Sequence, residues 1–221
     1  MKPTTQQAVL GELRRYIAQG RLRPGEQITQ DGLAEQLGVS RVPLREALKI
    51  LEGEGQVTYK AHRGYFVAEL SATDLLEVYR IRALLEPEAL RLAVRAMSAD
   101  DLARVERAER DVAAASAAGD LAAMTEANRR FHFGVMEPCG MSRLLRFIRI
   151  LWDSTDAYRS VYYNLAEHRT VVLAEHEQAV AALRAGDAER LVDVLTTHRD
   201  NSVAALRTVL QSPTGDPVSR T

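Results

Sequence analysis

Residues 33–57 read LAEQLGVSRVPLREALKILEGEGQV, two short helical patterns joined by a tight turn. Leu33, Ala34 and Leu37 give the first an apolar face, and Gly38 stops it. Ser40 stands where its hydroxyl can accept a hydrogen bond from a free N–H in the next helix's first turn. Pro43 falls within that turn, where a missing N–H costs little. Val42, Leu44, Ala47, Leu48 and Leu51 follow at helical spacing and predict one buried face. Arg41 and Arg45, four apart and therefore neighbours, open the opposite face. A helix buried on one side with arginines near its N-terminus fits the major groove of DNA. There guanidinium forks meet guanine edges or phosphates. An αα-hairpin with surface arginines is the plainer reading of the same pattern.

Working outward, Thr5 to Gly20 predicts a helix with Ala8, Val9, Leu13, Tyr16 and Ile17 as its apolar stripe. Leu22-Arg23-Pro24-Gly25 is a turn, and Thr29 suits the N-cap of the helix that carries Leu33. On the other side, Gly53 and Gly55 break the helical pattern. Gln56–Lys60 and Tyr65–Glu69 predict a two-stranded wing with Ala61-His62-Arg63-Gly64 at its tip. An arginine beside a glycine at such a tip can enter a minor groove or touch phosphate, or it is simply a solvated hairpin.

Taken together, residues 33–57 and the following AHRGYFVAEL (61–70) resemble the winged helix-turn-helix of GntR-family transcription regulators. The VSR-x-P-LREAL run and the R-G-x-F-V wing carry the resemblance, and LRPGEQI is the connector such a domain uses. The resemblance implies DNA contact by Ser40, Arg41, Pro43 and Arg45 of the recognition helix and by His62, Arg63 and Gly64 of the wing. One position departs from it. At the second residue of the helix before the turn, some relatives carry a DNA-contacting arginine, and this chain has Asp31, whose carboxylate repels phosphate.

Bulk composition is that of an ordinary globular protein, with 46% hydrophobic and 27% charged residues in 221. The net charge of -1 taken alone argues against nucleic acid, but its distribution does not. Residues 1–68 carry 10 Lys+Arg against 7 Asp+Glu, and residues 69–221 carry 19 against 23. A basic head on an acidic body fits binding through the head only. The single cysteine, Cys139, excludes an intrachain disulfide and fits a reducing cytoplasm. No signal peptide and no apolar run of membrane-spanning length is legible.

Ser71 with Asp74 marks a helix start and a domain boundary. The expected organisation is a winged helix-turn-helix domain over 1–70, an all-helical domain over 71–211, and a disordered tail over 212–221. The fold class is thus mainly α with a small β wing. About six body helices are expected, roughly 72–96, 99–117, 120–137, 141–163, 166–185 and 187–210. Ser98, Gly119-Asp120, Pro138-Cys139-Gly140 and Gly186-Asp187 punctuate them. Pro87 is expected to kink or divide the first. The fourth carries Leu144, Phe147, Leu151, Tyr158 and Tyr162 on one side, a stripe more often core than cofactor box.

The segments YRIRALLEPEALRLA (79–93), NRRFH (128–132), EHEQAVAALRAGD (175–187) and THRDN (197–201) resemble the FCD-type effector domain of the FadR-like branch of the same family. In that branch an Asp four residues before a His, with two later histidines, binds a divalent metal inside the bundle. The matching positions are Asn128, His132, His176 and His198. The spacing is sensible by itself, since Asn128 and His132 lie one turn apart and His176 and His198 each sit beside an apolar stripe. Three imidazoles in a bundle core suit zinc or nickel, with open positions for water or ligand. Asn128 is a neutral, weaker ligand than the usual Asp and lowers the expected affinity. Arg82 and Glu86 match the family's R-x-x-x-E. Arg82 either clamps an effector carboxylate bidentately or pairs with Glu86. Arg146, Arg149 and Asn201 are the further candidates for effector contact, although Asp153 offers Arg149 a helix partner.

The function this implies is a ligand-responsive regulator, not an enzyme. A homodimer would bind a palindromic double-stranded operator, and a small carboxylate-type effector would modulate it. The competing class is a metal-dependent, hydrolase-like enzyme with a DNA-binding appendage. Against it, His176-Glu177 has no second histidine four residues after the first, so H-E-x-x-H is absent. A constitutive architectural protein with an inert helical body is the third class.

Overall fold

The structure, a computed structural model, describes residues 4–69, 71–155, 162–163 and 165–211, with side chains to 207. The head contains α1 (Thr5–Ala18), β1 (Gln27–Ile28), α2 (Gln30–Leu37), α3 (Arg41–Gly53), β2 (Val57–Lys60) and β3 (Gly64–Val67). The body contains α4 (Ala72–Ala96), α5 (Ala99–Ala118), α6 (Leu121–Met136), a 3-10 turn (Glu137–Cys139), α7 (Ser142–Asp153), α8 (Ala166–Ala185) and α9 (Ala188–Gln211). Among the described residues no helix is long and apolar enough to cross a membrane.

The head is built around α3. Leu44, Ala47, Leu48 and Leu51 are fully buried against Leu13 and Ile17 of α1 and Leu33 of α2. Each leucine so buried contributes about 2 kcal/mol from removed apolar surface. The turn between α2 and α3 closes at Gly38, whose left-handed φ of 64° costs a glycine nothing. The wing has three strands rather than the two expected, in the order β1-β3-β2, with Gln27 opposite Phe66 and Lys60 opposite Gly64. Its extra strand is two residues long, too short for any alternation to announce it.

Two other expectations about the head change. Val42 is not part of the buried face but 58% exposed. Leu44, Ala47, Leu48 and Leu51 define the inward direction, and Val42 lies on the far side with Arg41 and Arg45. Ser40 occupies the N-cap position in extended conformation, yet its side chain makes no capping hydrogen bond. The hydroxyl and the first-turn N–H groups of α3 therefore face outward for another acceptor.

In the body, the boundaries follow the caps. Ser71–Asp74 and Ser98–Asp101 form reciprocal capping boxes at the starts of α4 and α5. Helix α4 passes through Pro87 undivided, because Ala89, Leu90 and Ala93 beyond it are locked into the bundle core. Helix α7 ends at Asp153, earlier than the expected 163. Its buried positions are Ile148, Trp152 and Asp153, while Phe147 is 60% exposed. With apolar residues at 144, 145, 147, 148, 150 and 151, two stripes compete, and packing selected the one through 148 and 152. Tyr162 is buried as expected; Tyr158 and the tail 212–221 lie outside the described residues.

Candidate nucleic-acid interface and histidine chamber

The outer face of α3 presents Arg41, Val42 and Arg45, all exposed, with Pro43 half-buried beside them. Arg41 is not idle. Its Nε lies 2.5 Å from Asp31 Oδ1, and both side chains remain about 70% exposed, at 72% and 70%. The carboxylate that repels phosphate is thus also the partner that a phosphate would replace. Val42 was missed as a surface residue by periodicity alone. At the wing tip His62 takes a left-handed φ of 60° and Gly64 one of 84°, which turns the hairpin sharply enough to project Arg63. Gln27 Nε2 donates to Arg63 O at 2.6 Å, tying the tip to β1. The Lys60 ammonium lies 4.5 Å and the Arg63 guanidinium 5.3 Å from the centre of the Phe66 ring. Lys60 is a wing cation the sequence reading did not single out.

Deep in the body, His132 of α6, His176 of α8 and His198 of α9 meet. Their ring centres are 5.1, 5.0 and 5.1 Å apart, and one nitrogen from each lies within 4.8 Å of the others. All three are buried. His176 stacks on Phe131 at 4.0 Å, and neither of its ring nitrogens has a hydrogen-bond partner. Burial, and then the nearby His198, hold its pKa well below 6.5, so it is a neutral imidazole with a lone pair available. The neighbouring Asn128, one turn before His132, is 1% exposed, and its Oδ1 is also unpartnered.

Buried polar atoms without partners, as on His176 and Asn128, are costly in a dry protein, and their lone pairs fit a metal. Glu175 supplies the supporting contact. Its Oε2 is 2.7 Å from His198 Nδ1, and its Oε1 accepts from Asn201 Nδ2 at 2.6 Å. A carboxylate on Nδ1 favours the proton there, which would leave Nε2 free to face a metal. Asn201 accordingly acts on Glu175 rather than at the chamber wall.

Beside the histidines lies a cationic cluster. Arg82 Nε donates to Glu86 Oε1 at 2.7 Å, Trp152 Nε1 donates to the same oxygen at 2.8 Å, and Arg199 Nη1 reaches Glu86 Oε2 at 3.4 Å. Arg82 is 4% exposed and its guanidinium sits 4.3 Å over the Trp152 ring. Burial pushes the Glu86 carboxyl up, but Arg82, Trp152 and Arg199 outweigh it and hold the group below the ordinary range. Two guanidiniums thus share one carboxylate. Two cavities of about 20 Å³ flank this cluster and the histidines, each about one water in size.

Arg146 and Arg149 are not brought to the chamber. Both lie on the outer face of α7, and they line a crevice with Lys49, Ile50 and Glu54 of the head. The buried Asp153 at the end of α7 explains the joint there. Asp153 pairs with Arg129 of α6 at 2.5 Å and lies 3.8 Å from Arg14 of α1. Arg14 grips both oxygens of Glu54, the C-cap of α3, at 2.6 and 2.7 Å. Trp152, in the chamber, and Asp153, at the head, are consecutive residues.

Comparison with known proteins meets the same division. Residues 5–67 match the family described as bacterial regulatory proteins, gntR family, and residues 77–201 match the FCD domain. The chain belongs to the GntR family. It is a transcriptional regulator with an FCD domain, and the proteins it resembles are regulators rather than enzymes. It is 39% identical over 129 residues to the Nta operon transcriptional regulator of Aminobacter aminovorans, a match covering 58% of this chain and 60% of that one. Over 215 residues it is 30% identical to the HTH-type transcriptional regulator BphR of Paraburkholderia xenovorans, covering 91% and 84%. Among solved structures, E. coli McbR/YncC superposes with a TM-score of 0.86 at 28% identity, over 94% of this chain and 99% of that one.

Proposed function

We propose that this GntR regulator binds a palindromic operator as a homodimer and releases or tightens it in response to a small organic acid held in the histidine chamber. Two copies would set their α3 helices in successive major grooves, about 34–36 Å apart. Ser40, Arg41, Pro43 and Arg45 would contact the groove, and His62, Arg63 and Gly64 the flanking backbone or minor groove. An uncovered apolar strip on α4, with Leu84 66% and Ile81 37% exposed, supports a second copy on that face.

The observation that carries the effector reading is the sharing of Glu86 by Arg82 and Arg199 next to three neutral-capable imidazoles. Among its buried groups the cluster has one guanidinium more than it has carboxylates, Asp200 at 3.7 Å from Arg199 being exposed, so an added carboxylate offsets a buried charge. A zinc or nickel ion held by His132, His176 and His198, with Asn128 as a weak fourth ligand, would supply an open Lewis-acid position for an oxygen of that acid. Glu175 orients His198, and Arg82 and Arg199 draw the carboxylate toward them. Because the flanking cavities are each about one water in size, an acid larger than that must widen the space that α4, α7 and α9 bound, and Trp152, which lines both cavities, is the residue it would displace. That motion passes to Asp153 and so to Arg14 and α3. The ligand shifts DNA affinity only by its preference for one of these arrangements.

Elemental analysis of the purified protein tests the chamber. About one zinc or nickel per chain is expected, with His176→Ala losing it. Metal-free protein even after soaking in zinc or nickel removes the metal, while operator binding by the same sample leaves the regulator standing.

A further inference from the structure

A further concavity of the body lies apart from the histidine chamber. It is a groove of about 570 Å³ between α5, α6 and α7, within the usual size range of small-molecule sites. Arg104, Arg107, Arg110, Arg129, Arg130 and Arg149 line it, against two acids, Asp111 and Glu137. This local excess of four positive charges stands on a body whose net charge is -4.

Internal pairing accounts for only part of the excess: Arg104 pairs with Asp101 and Arg129 with the buried Asp153 at 2.5 Å, which leaves two of the four charges. Arg130 is paired with Asp111 at 2.9 Å, but Glu137 reaches Arg149 only at 3.8 Å. Arg107 and Arg110 make no salt bridge among the described residues, and both are exposed. At the floor the Phe133 ring is buried beneath two guanidiniums, Arg149 at 4.3 Å and Arg129 at 4.9 Å. Stacking on an aromatic face pre-organises the forks, so little entropy is lost when they grip an oxyanion. Ala108 and Gly134 leave an apolar strip alongside.

We propose that this groove is a second ligand site, for a phosphorylated small molecule of about nucleotide size. A phosphate carries nearly two charges and three acceptor oxygens, enough to engage two or three forks at once, and a single carboxylate is not. The volume leaves room for an organic part against the apolar strip. A duplex fits less well, because the acidic body repels a long polyanion at a distance while a small one feels mainly the local field. This site is independent of the histidine chamber.

Isothermal titration of the full-length protein with inorganic pyrophosphate and with ADP, each against succinate at matched ionic strength, tests it. Saturable binding of both phosphates and at least about tenfold weaker binding of succinate are expected. The double variant R107A/R110A, whose side chains lie outside the core, keeps its melting temperature and loses at least about tenfold in phosphate affinity. His176→Ala binds as the wild type does. Absence of saturable phosphate binding overturns the proposal, as does equal affinity in the double variant. A random-sequence duplex that displaces ADP through these arginines also overturns it, and assigns the groove to nucleic acid.

Discussion

Two arginine–carboxylate pairs of the molecule sit in opposite settings. Arg41 and Asp31 of the head meet in open solvent, with 72% and 70% of their side chains exposed. Arg82 and Glu86 of the body meet with 5% and 9% exposed. In water the pair is worth at most about 1 kcal/mol and exchanges freely for another partner. In the bundle, Glu86 cannot be removed without stranding Arg82. The head therefore keeps its charges available for a ligand that arrives from outside. The body keeps its charges in a network that only a ligand of matching charge can rearrange.

The sharpest way to break this contrast is Glu86→Gln. It leaves Arg82 buried with no counter-charge and Arg199 with only the exposed Asp200 at 3.7 Å, and should destabilise the body by about 3 kcal/mol, lowering the melting temperature by roughly 6–12 °C. The sign with pH follows from the lowered carboxyl. Its stabilisation is complete above the unfolded pKa of about 4.3 and is lost as pH falls through the lower folded value. Wild type and variant should therefore converge in acid. Equal melting temperatures at neutral pH would mean the buried pair carries no more than the exposed one.

Arg45→Ala applies the opposite test to the head. Its side chain is exposed, so thermal unfolding should be unchanged, whereas operator affinity falls about 10- to 100-fold. A gel-shift titration at fixed salt reads it. An unaltered affinity would remove α3 from the DNA interface.

How much of this was legible in the sequence divides along the same line. The head is local: α2, the Gly38 turn and α3 are consecutive, so periodicity and caps placed them, and a mis-set residue such as Val42 is off by a position on one helix. The three histidines were legible because each sits in a matching segment of its own helix. Their setting was not. Glu175, Arg199 and Trp152 come from α8, α9 and α7, and only packing makes them neighbours of His198 and Glu86. The Arg14–Asp153 joint spans 139 positions, and no spacing rule reaches that far. That Arg146 and Arg149 turn away from the histidine chamber was not legible for a related reason. On a helix with two apolar stripes, the face that turns inward is decided by neighbours the local pattern does not contain.

The smallest expected effect is the most discriminating one for the head. Asp31→Asn removes a carboxylate whose own pairing contributes little, so folding stability should not move. Its effect on DNA has two parts with one sign. A negative charge is taken away from the approaching phosphates, and Arg41 is released from the partner that holds it at 2.5 Å. Operator binding should tighten by up to about fivefold at ~0.1 M salt. If Arg41 then takes a phosphate, the slope of log affinity against log salt steepens by about one, since one more counterion is displaced. The double variant D31N/R41A separates the two parts. Loss of the whole gain makes Arg41 the route; a gain that persists with the original slope makes simple repulsion by Asp31 the cause, and the exposed pair a bystander.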